Sequence, residues 1–193
     1  MEDKSIFNDL ETLYTDRLIL RKMTHEDAED IFRYLSDPEV IRYSIGEPHK
    51  DLDNSIAYID SVLTAYENNY AGLWCIVPKD TNRVIGTCGI EIWFKEHQRA
   101  EIGYSLSQDN WGNGYMTEAL HAIVQFGFEK MDLNRIEAFC HVDNAPSLRV
   151  LEKIGLRQEG MLRQHTFSRD QFFDVFVYGI LREEYVNKTY LAM

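Results

Sequence analysis

Residues 99–142 constrain the fold more than any other part of the chain. RAEIGYSL (99–106) is a strand-like run that enters a loop with glycines at 112 and 114. Beyond it, Ala119, Leu120, Ile123, Gly127 and Met131 fall at helical spacing and predict a helix over about 115–130. RIEAFCHV (135–142) then reads as another strand, so the segment is a β-α-β crossover, which joins parallel strands. Just before it, LWCIV (73–77) and VIGTCGIEIWF (84–94) flank the turn-rich PKDTNR and predict an antiparallel hairpin. A chain holding both units builds a mixed sheet with helices on both faces.

The remaining elements fit that frame. DRLILRK (16–22) is a short β-prone run. Thr24 with Asp27 resembles a capping box ahead of a helix bearing Ala28, Ile31, Phe32 and Leu35. A second helix spans about 52–69, and a third covers 145–154, with Pro146 in its first turn and Gly155 as its stop. Strand-like runs at 157–164 and 171–181 follow. Pro38, Pro48, Pro78 and Pro146 mark boundaries rather than a linker, so residues 1–193 read as a single domain. The aromatic residues Tyr43, Trp74, Trp93, Phe167 and Phe172 are expected in the core.

Composition excludes several functions. At 193 residues and 45% hydrophobic, the chain can bury a core without a disulfide or metal. Its 20 Lys+Arg against 32 Asp+Glu, a formal −12, argue against a nucleic-acid or anionic-membrane partner and suit a basic or cationic one. Cys75, Cys88 and Cys140 have no C-x-x-C spacing and read as buried thiols. The six histidines form neither H-x-x-x-H nor H-E-x-x-H, so no metal site is expected. The acidic start MEDKSIFNDLETLY is unlike a signal peptide, and no run approaches the ~18 apolar residues of a membrane span. A cytoplasmic location is expected.

The loop Trp111-Gly112-Asn113-Gly114-Tyr115-Met116 opens the helix of the crossover. Its glycines leave consecutive main-chain N–H groups uncovered, and with the helix N-terminus these suit a pyrophosphate. A dinucleotide fingerprint needs a third glycine where Thr117 stands, and no Gly-Lys-Ser/Thr is present for a Walker loop. A glycine turn serving only close packing remains the plain alternative. After the crossover comes Asp143-Asn144-Ala145-Pro146-Ser147, followed by LRVLEKIGL and EGMLR.

AEIGYSL…WGNGYMTEAL paired with VDNAPSLRVLEKIGL…EGMLR resembles the GNAT superfamily of N-acetyltransferases, and within it the RimJ/RimL-like branch that acetylates protein N-termini. The resemblance extends from TDRLILRKMTHEDAEDIF to FFDVFVYGILREEY. It implies an α/β (α+β mixed) fold, a mostly antiparallel sheet of about seven strands splayed between the fourth and fifth. Acetyl-CoA would lie in that cleft, its pantetheine beside residues 102–106, with Tyr104 and Leu106 in contact. Trp111, Gly112, Asn113, Gly114, Tyr115, Met116 and Thr117 would hold the pyrophosphate. Trp111 and Met116 depart from the family's Q/R-x-x-G-x-G/A pattern. Asn144 would touch the cofactor arm, alongside Ser147.

The resemblance further implies direct transfer in a ternary complex, with Glu101 as general base and Ser147 as proton donor to the CoA thiolate. The alternatives for these two residues are a strand carboxylate paired with Arg99 or Arg135, and a helix N-terminal cap. Tyr178 lies too far along the last strand to be assigned a role. An α-amine with a pKa near 7.8 is roughly 10% neutral at pH 7, and a lysine near 10.4 about 0.04%, so one moderate base favours a terminal amine. The acceptor is therefore expected to be a protein α-amine, possessed of a basic chain, with a small-molecule amine (polyamine, aminoglycoside or amino-acid derivative) as the second reading. A non-catalytic acyl-CoA-binding module is the third. Exposed edge strands in such a fold admit a homodimer.

Overall fold

An eight-stranded sheet in the order β1-β2-β3-β4-β5-β6-β8-β7 runs through the computed structural model, which describes residues 5–191. The strands are β1 (Leu13–Tyr14), β2 (Leu18–Lys22), β3 (Gly72–Pro78), β4 (Gly86–Phe94), β5 (Arg99–Leu106), β6 (Arg135–His141), β7 (Arg157–Ser168) and β8 (Gln171–Leu181). Helices α1 (Ala28–Leu35), α2 (Pro38–Ile41) and α3 (Leu52–Glu67) precede β3, α4 (Tyr115–Glu129) joins β5 to β6, α5 (Ala145–Lys153) follows β6, and α6 (Arg182–Leu191) follows β8. Every pairing is antiparallel except β5 with β6.

The sheet has eight strands rather than seven, because Leu13 and Tyr14 pair with Leu20 and Ile19 over too short a run to leave a periodic signal. The expected splay between the fourth and fifth strands accordingly lies between β5 and β6. β7 continues past residue 164 to Ser168 across a register shift, and closes on β8 through Arg169 and Asp170, both at positive φ. That turn geometry usually calls on Gly or Asn, so its residues gave no turn signal.

One face of the sheet packs on α4. Trp74, Ile76, Cys88, Ile90, Ala100, Ile102 and Ile136 are buried there with Leu120, Ile123 and Phe126, and the rings of Trp74 and Phe126 meet edge-on at 5.0 Å. Each such aliphatic side chain contributes roughly 1.5–3 kcal/mol by leaving water. The other face packs on α1 and α3, where polar groups enter the core. The Tyr34 hydroxyl donates to Thr87 Oγ1 at 3.3 Å, and Arg21 grips Asp27 at 2.6 Å. Burial works to raise the Asp27 pKa, but the Arg21 guanidinium and the Thr24 N–H outweigh it and hold the carboxyl below its usual range. Cys75, Cys88 and Cys140 are buried free thiols.

The parallel pair is short. Arg99, Ala100 and Glu101 pair with Arg135, Ile136 and Glu137, and there the pairing stops. β5 runs on to Leu106, while β6 stays paired with β8 as far as His141. The two strands part beyond Glu101, leaving a fork whose inner end is that residue.

Candidate active site

The fork exposes a strand edge. Ser107 N–H donates to the Ile85 carbonyl at 2.8 Å, and the antiparallel alternation from that bond turns the main chain of Gly103 and Ser105 toward β4. Ile102, Tyr104 and Leu106 therefore present their main-chain groups to the fork. The Leu106 carbonyl takes the Trp111 indole N–H at 2.8 Å, which folds the following loop back on the strand end.

That loop reaches α4 through Gly112 at φ 77° and Gly114 at φ 79°. Both lie in the left-handed region that glycine enters without cost. No atom lies within 4 Å of where a Cβ at Gly112 would stand, so the loop surface is open. The first bond of α4 runs from Glu118 N–H to the Gly114 carbonyl, so the N–H groups of Tyr115, Met116 and Thr117 have no partner within the helix. These donors and the positive end of the helix dipole suit an anion. The Met116 side chain is buried in the core, leaving only its main chain available.

Sequence reasoning missed the brace on this loop. Arg17 donates to the Asn113 carbonyl at 2.9 Å and pairs with Glu118 at 2.7 Å, and its guanidinium lies 4.6 Å from the Tyr115 ring centre. The same Glu118 carboxylate accepts from the Thr15 hydroxyl at 2.6 Å. The only signal was the basic residue in TDRLILR, which is indistinguishable by sequence from any exposed strand arginine.

Across the fork, α5 begins at Asn144, whose Oδ1 accepts from Ser147 N–H at 3.3 Å. Asn144 is thus the cap, and the Ser147 hydroxyl is free of that duty. Ser147 Oγ instead lies 2.6 Å from the Tyr104 hydroxyl. Burial holds the Tyr104 pKa far above that of a free phenol, so the ring stays protonated and can donate. Tyr178 is buried with its hydroxyl 3.5 Å from Glu152 and 3.4 Å from Gln158.

Glu101 is half-buried at the inner end of the fork. The alternative pairing with Arg99 or Arg135 does not occur: both guanidiniums turn to Glu137, the buried carboxylate beside it in the parallel register. Arg135 also binds Glu159 at 2.6 Å. Among the described residues nothing hydrogen-bonds the Glu101 carboxylate. Burial, then the neighbouring Glu91 and Glu137 carboxylates, raise its pKa to about 7 against the opposing pull of Arg99. A carboxylate so tuned can take a proton near neutrality.

Beyond the fork, a cavity of about 650 Å³ opens between Arg42 and Tyr43, the end of β6 and the β7–β8 hairpin. His141 touches both Tyr43 and Phe173, with ring centres 5.0 Å apart in each case. Arg169 ties the hairpin to the segment after α2 through the carbonyls of Ile41, Arg42 and Ser44. Trp74 is core as expected, but Tyr43 and Phe172 line this cavity, and Phe167 and Phe172 are 57% and 61% exposed. Phe167 and Phe172 stand at the turn end of the β7–β8 hairpin and Tyr43 in the segment after α2, all outside the core.

A strand edge with unpaired amide groups, ending at a glycine-opened anion site, fits a linear amide-bearing arm that ends in a pyrophosphate. The acetyltransferase (GNAT) domain family matches residues 17–157. The chain is 39% identical over 178 residues to N-acetyltransferase p20 of Bacillus licheniformis, covering 92% of this chain and all of that one. It is 31% identical over 114 residues to the ribosomal-protein-serine acetyltransferase of Escherichia coli, covering 59% of this chain and 63% of that protein. The crystal structure of a GNAT-family acetyltransferase from Bacillus anthracis superposes with a TM-score of 0.81 at 28% identity, covering 90% of this chain and 99% of the other. By this family match and these relatives, the chain belongs to the GNAT family of acetyl-CoA-dependent N-acetyltransferases.

Proposed function

We propose that the protein acetylates the N-terminal α-amine of a protein, by direct attack on acetyl-CoA with both substrates bound. The observation that carries this reading is the unpaired Glu101 carboxylate, with its pKa raised to about 7, at the inner end of the fork. A base of that strength matches an α-amine, which needs only a modest shift to be neutral, better than a lysine side chain. Similarity to the Escherichia coli ribosomal-protein-serine acetyltransferase supports a protein acceptor, and the formal charge of −12 suits a basic one. Among the described residues no helix is long and apolar enough to cross a membrane.

The residues divide the work as follows from their positions. Glu101 accepts the proton of the incoming ammonium. The freed nitrogen forms its bond to the thioester carbon while the C–S bond breaks, its surplus proton passes to water as it becomes an amide, and the main-chain N–H groups of Tyr104 and Leu106 polarise the carbonyl oxygen. Ser147 gives a proton to the departing thiolate, with Tyr104 placed to replenish it across 2.6 Å. Asn144 sets the start of α5 and hence the position of Ser147. Trp111, Gly112, Asn113, Gly114, Tyr115, Met116 and Thr117 form the pyrophosphate cradle, with Arg17 as its brace.

Two variants follow from this division. Arg17→Ala is expected to raise the Kd for acetyl-CoA about tenfold, the value of one charged hydrogen bond, as read by titration calorimetry. Ser147→Ala should lower kcat by about 10²-fold, and an acetyl thioester with a more acidic thiol should recover much of that loss.

The acceptor itself is tested by mass spectrometry. Protein and acetyl-CoA are mixed with basic peptides starting in Ala or Ser, polyamines and aminoglycosides. Addition of one acetyl group at peptide N-termini supports the α-amine reading. Acetylation confined to the small amines contradicts it and establishes the small-molecule alternative.

A further inference from the structure

A second carboxylate stands on the Glu101 side of the sheet and has no part in the steps above. β4 carries a bulge at Glu91: Ile90 pairs with Ile102, but Ile92 pairs with Glu101. The extra residue brings Glu91 to the side that Glu101 occupies. Its carboxylate lies directly over Gly103, where a Cβ would fall 1.9 Å from Glu91 Oε1. Only glycine at 103 leaves room for the carboxylate in this place.

Glu91 also forms one end of a cavity of about 250 Å³ under α3, walled by Tyr58, Ala65, Tyr70 and Leu73. Glu91 is exposed where it lines this cavity, and the protein atoms around it still raise its pKa through burial. Among the described residues its carboxylate has neither an ion-pair nor a hydrogen-bond partner. An apolar, partly aromatic space ending in an unpartnered carboxylate is complementary to an alkyl chain that ends in a cation. Gly103, over which the Glu91 carboxylate lies, is two residues from Glu101 on β5, a rise of about 7 Å along the strand. That spacing suits two cationic groups of one molecule.

We infer that Glu91 and its cavity bind a second ammonium or guanidinium of the acceptor, so that the preferred substrate is a dication with its reacting amine at Glu101. This rests on the reading of Glu101 as the site of the acceptor amine. The second cation is supplied either by a short diamine or by a basic side chain close to a peptide N-terminus.

Binding tests this without turnover. The full chain, saturated with CoA, is titrated calorimetrically with 1,5-diaminopentane and with 1-aminopentane. The diamine should bind about tenfold more tightly or better, and Glu91→Gln should bring that ratio close to one. Gly103→Ala, whose methyl group displaces the Glu91 carboxylate, should do the same and stands in if the first variant misfolds by circular dichroism. Equal affinities in the unmodified protein, or a preference that survives both substitutions, would overturn the inference. A parallel titration compares Ala-Lys and Ala-norleucine peptides: a preference there assigns the cation to a peptide, and a preference for the diamine alone assigns it to a small amine. If the diamine preference holds while no peptide N-terminus is acetylated, the α-amine reading fails and the Glu91 site stands; the reverse pattern removes Glu91 alone. In turnover, loss of Glu91 should appear in KM for dicationic acceptors far more than in kcat.

Discussion

Replacing Glu101 by Gln should lower kcat by about 10²–10⁴-fold and abolish the acid limb of the pH–rate profile, with acetyl-CoA still bound. In the unmodified protein kcat/KM should fall below an apparent pKa of about 7, where Glu101 takes up its proton. The same substitution has an opposite effect on stability. In the unfolded chain the carboxyl titrates near its ordinary 4.5, whereas in the folded protein it holds its proton to about 7. Between these values the folded state binds more protons, so this group's contribution to stability falls as pH rises through the window. Glu101→Gln should therefore melt above the parent protein at alkaline pH, with the gap closing as the pH drops below the unfolded value. Loss of activity joined to a gain in stability is the signature of a strained functional group. Parallel loss of both would mark Glu101 as structural.

The largest loss of stability is expected from Glu137→Ala. Glu137 is 3% exposed at the last rung of the parallel pair and receives both Arg99 and Arg135. Arg135 keeps Glu159, but Arg99 would be left half-buried without a partner. Breaking a buried pair of this kind costs about 3 kcal/mol, readable as a lower midpoint in urea unfolding at unchanged slope. A freed Arg99 also gains access to Glu101, two residues along on the same strand face. The acid limb of the rate profile should then move below 7, since a nearby guanidinium favours the ionised carboxylate. Glu137→Gln keeps hydrogen-bond acceptance and should show a smaller version of both effects.

This network marks the limit of what the sequence discloses. The strand–glycine–helix signal at 99–130 and the Asn144–Ser147 turn placed the two sides of the fork, because each is written in local periodicity and turn chemistry. Which carboxylate Arg99 and Arg135 would choose depended on the register of β5 against β6, and two strands separated by a whole helix carry no local record of register. The same reason hid Arg17, whose partners lie about a hundred residues away. Ser147 was open to two roles until the structure gave the cap to Asn144 and the hydroxyl to Tyr104. The bulge at Glu91 left no trace either, since GIEIWF alternates as a regular strand would.

The central claim is that the fork between β5 and β6 is where acetyl-CoA and the amine meet. Hydrogen exchange with and without saturating acetyl-CoA tests it most directly. Slowed exchange is expected at the amides of Ile102, Tyr104 and Leu106 on the open edge of β5 and across residues 112–117, with little change in β2 or β3. Unchanged exchange at those amides with acetyl-CoA fully bound would place the cofactor elsewhere and contradict the account.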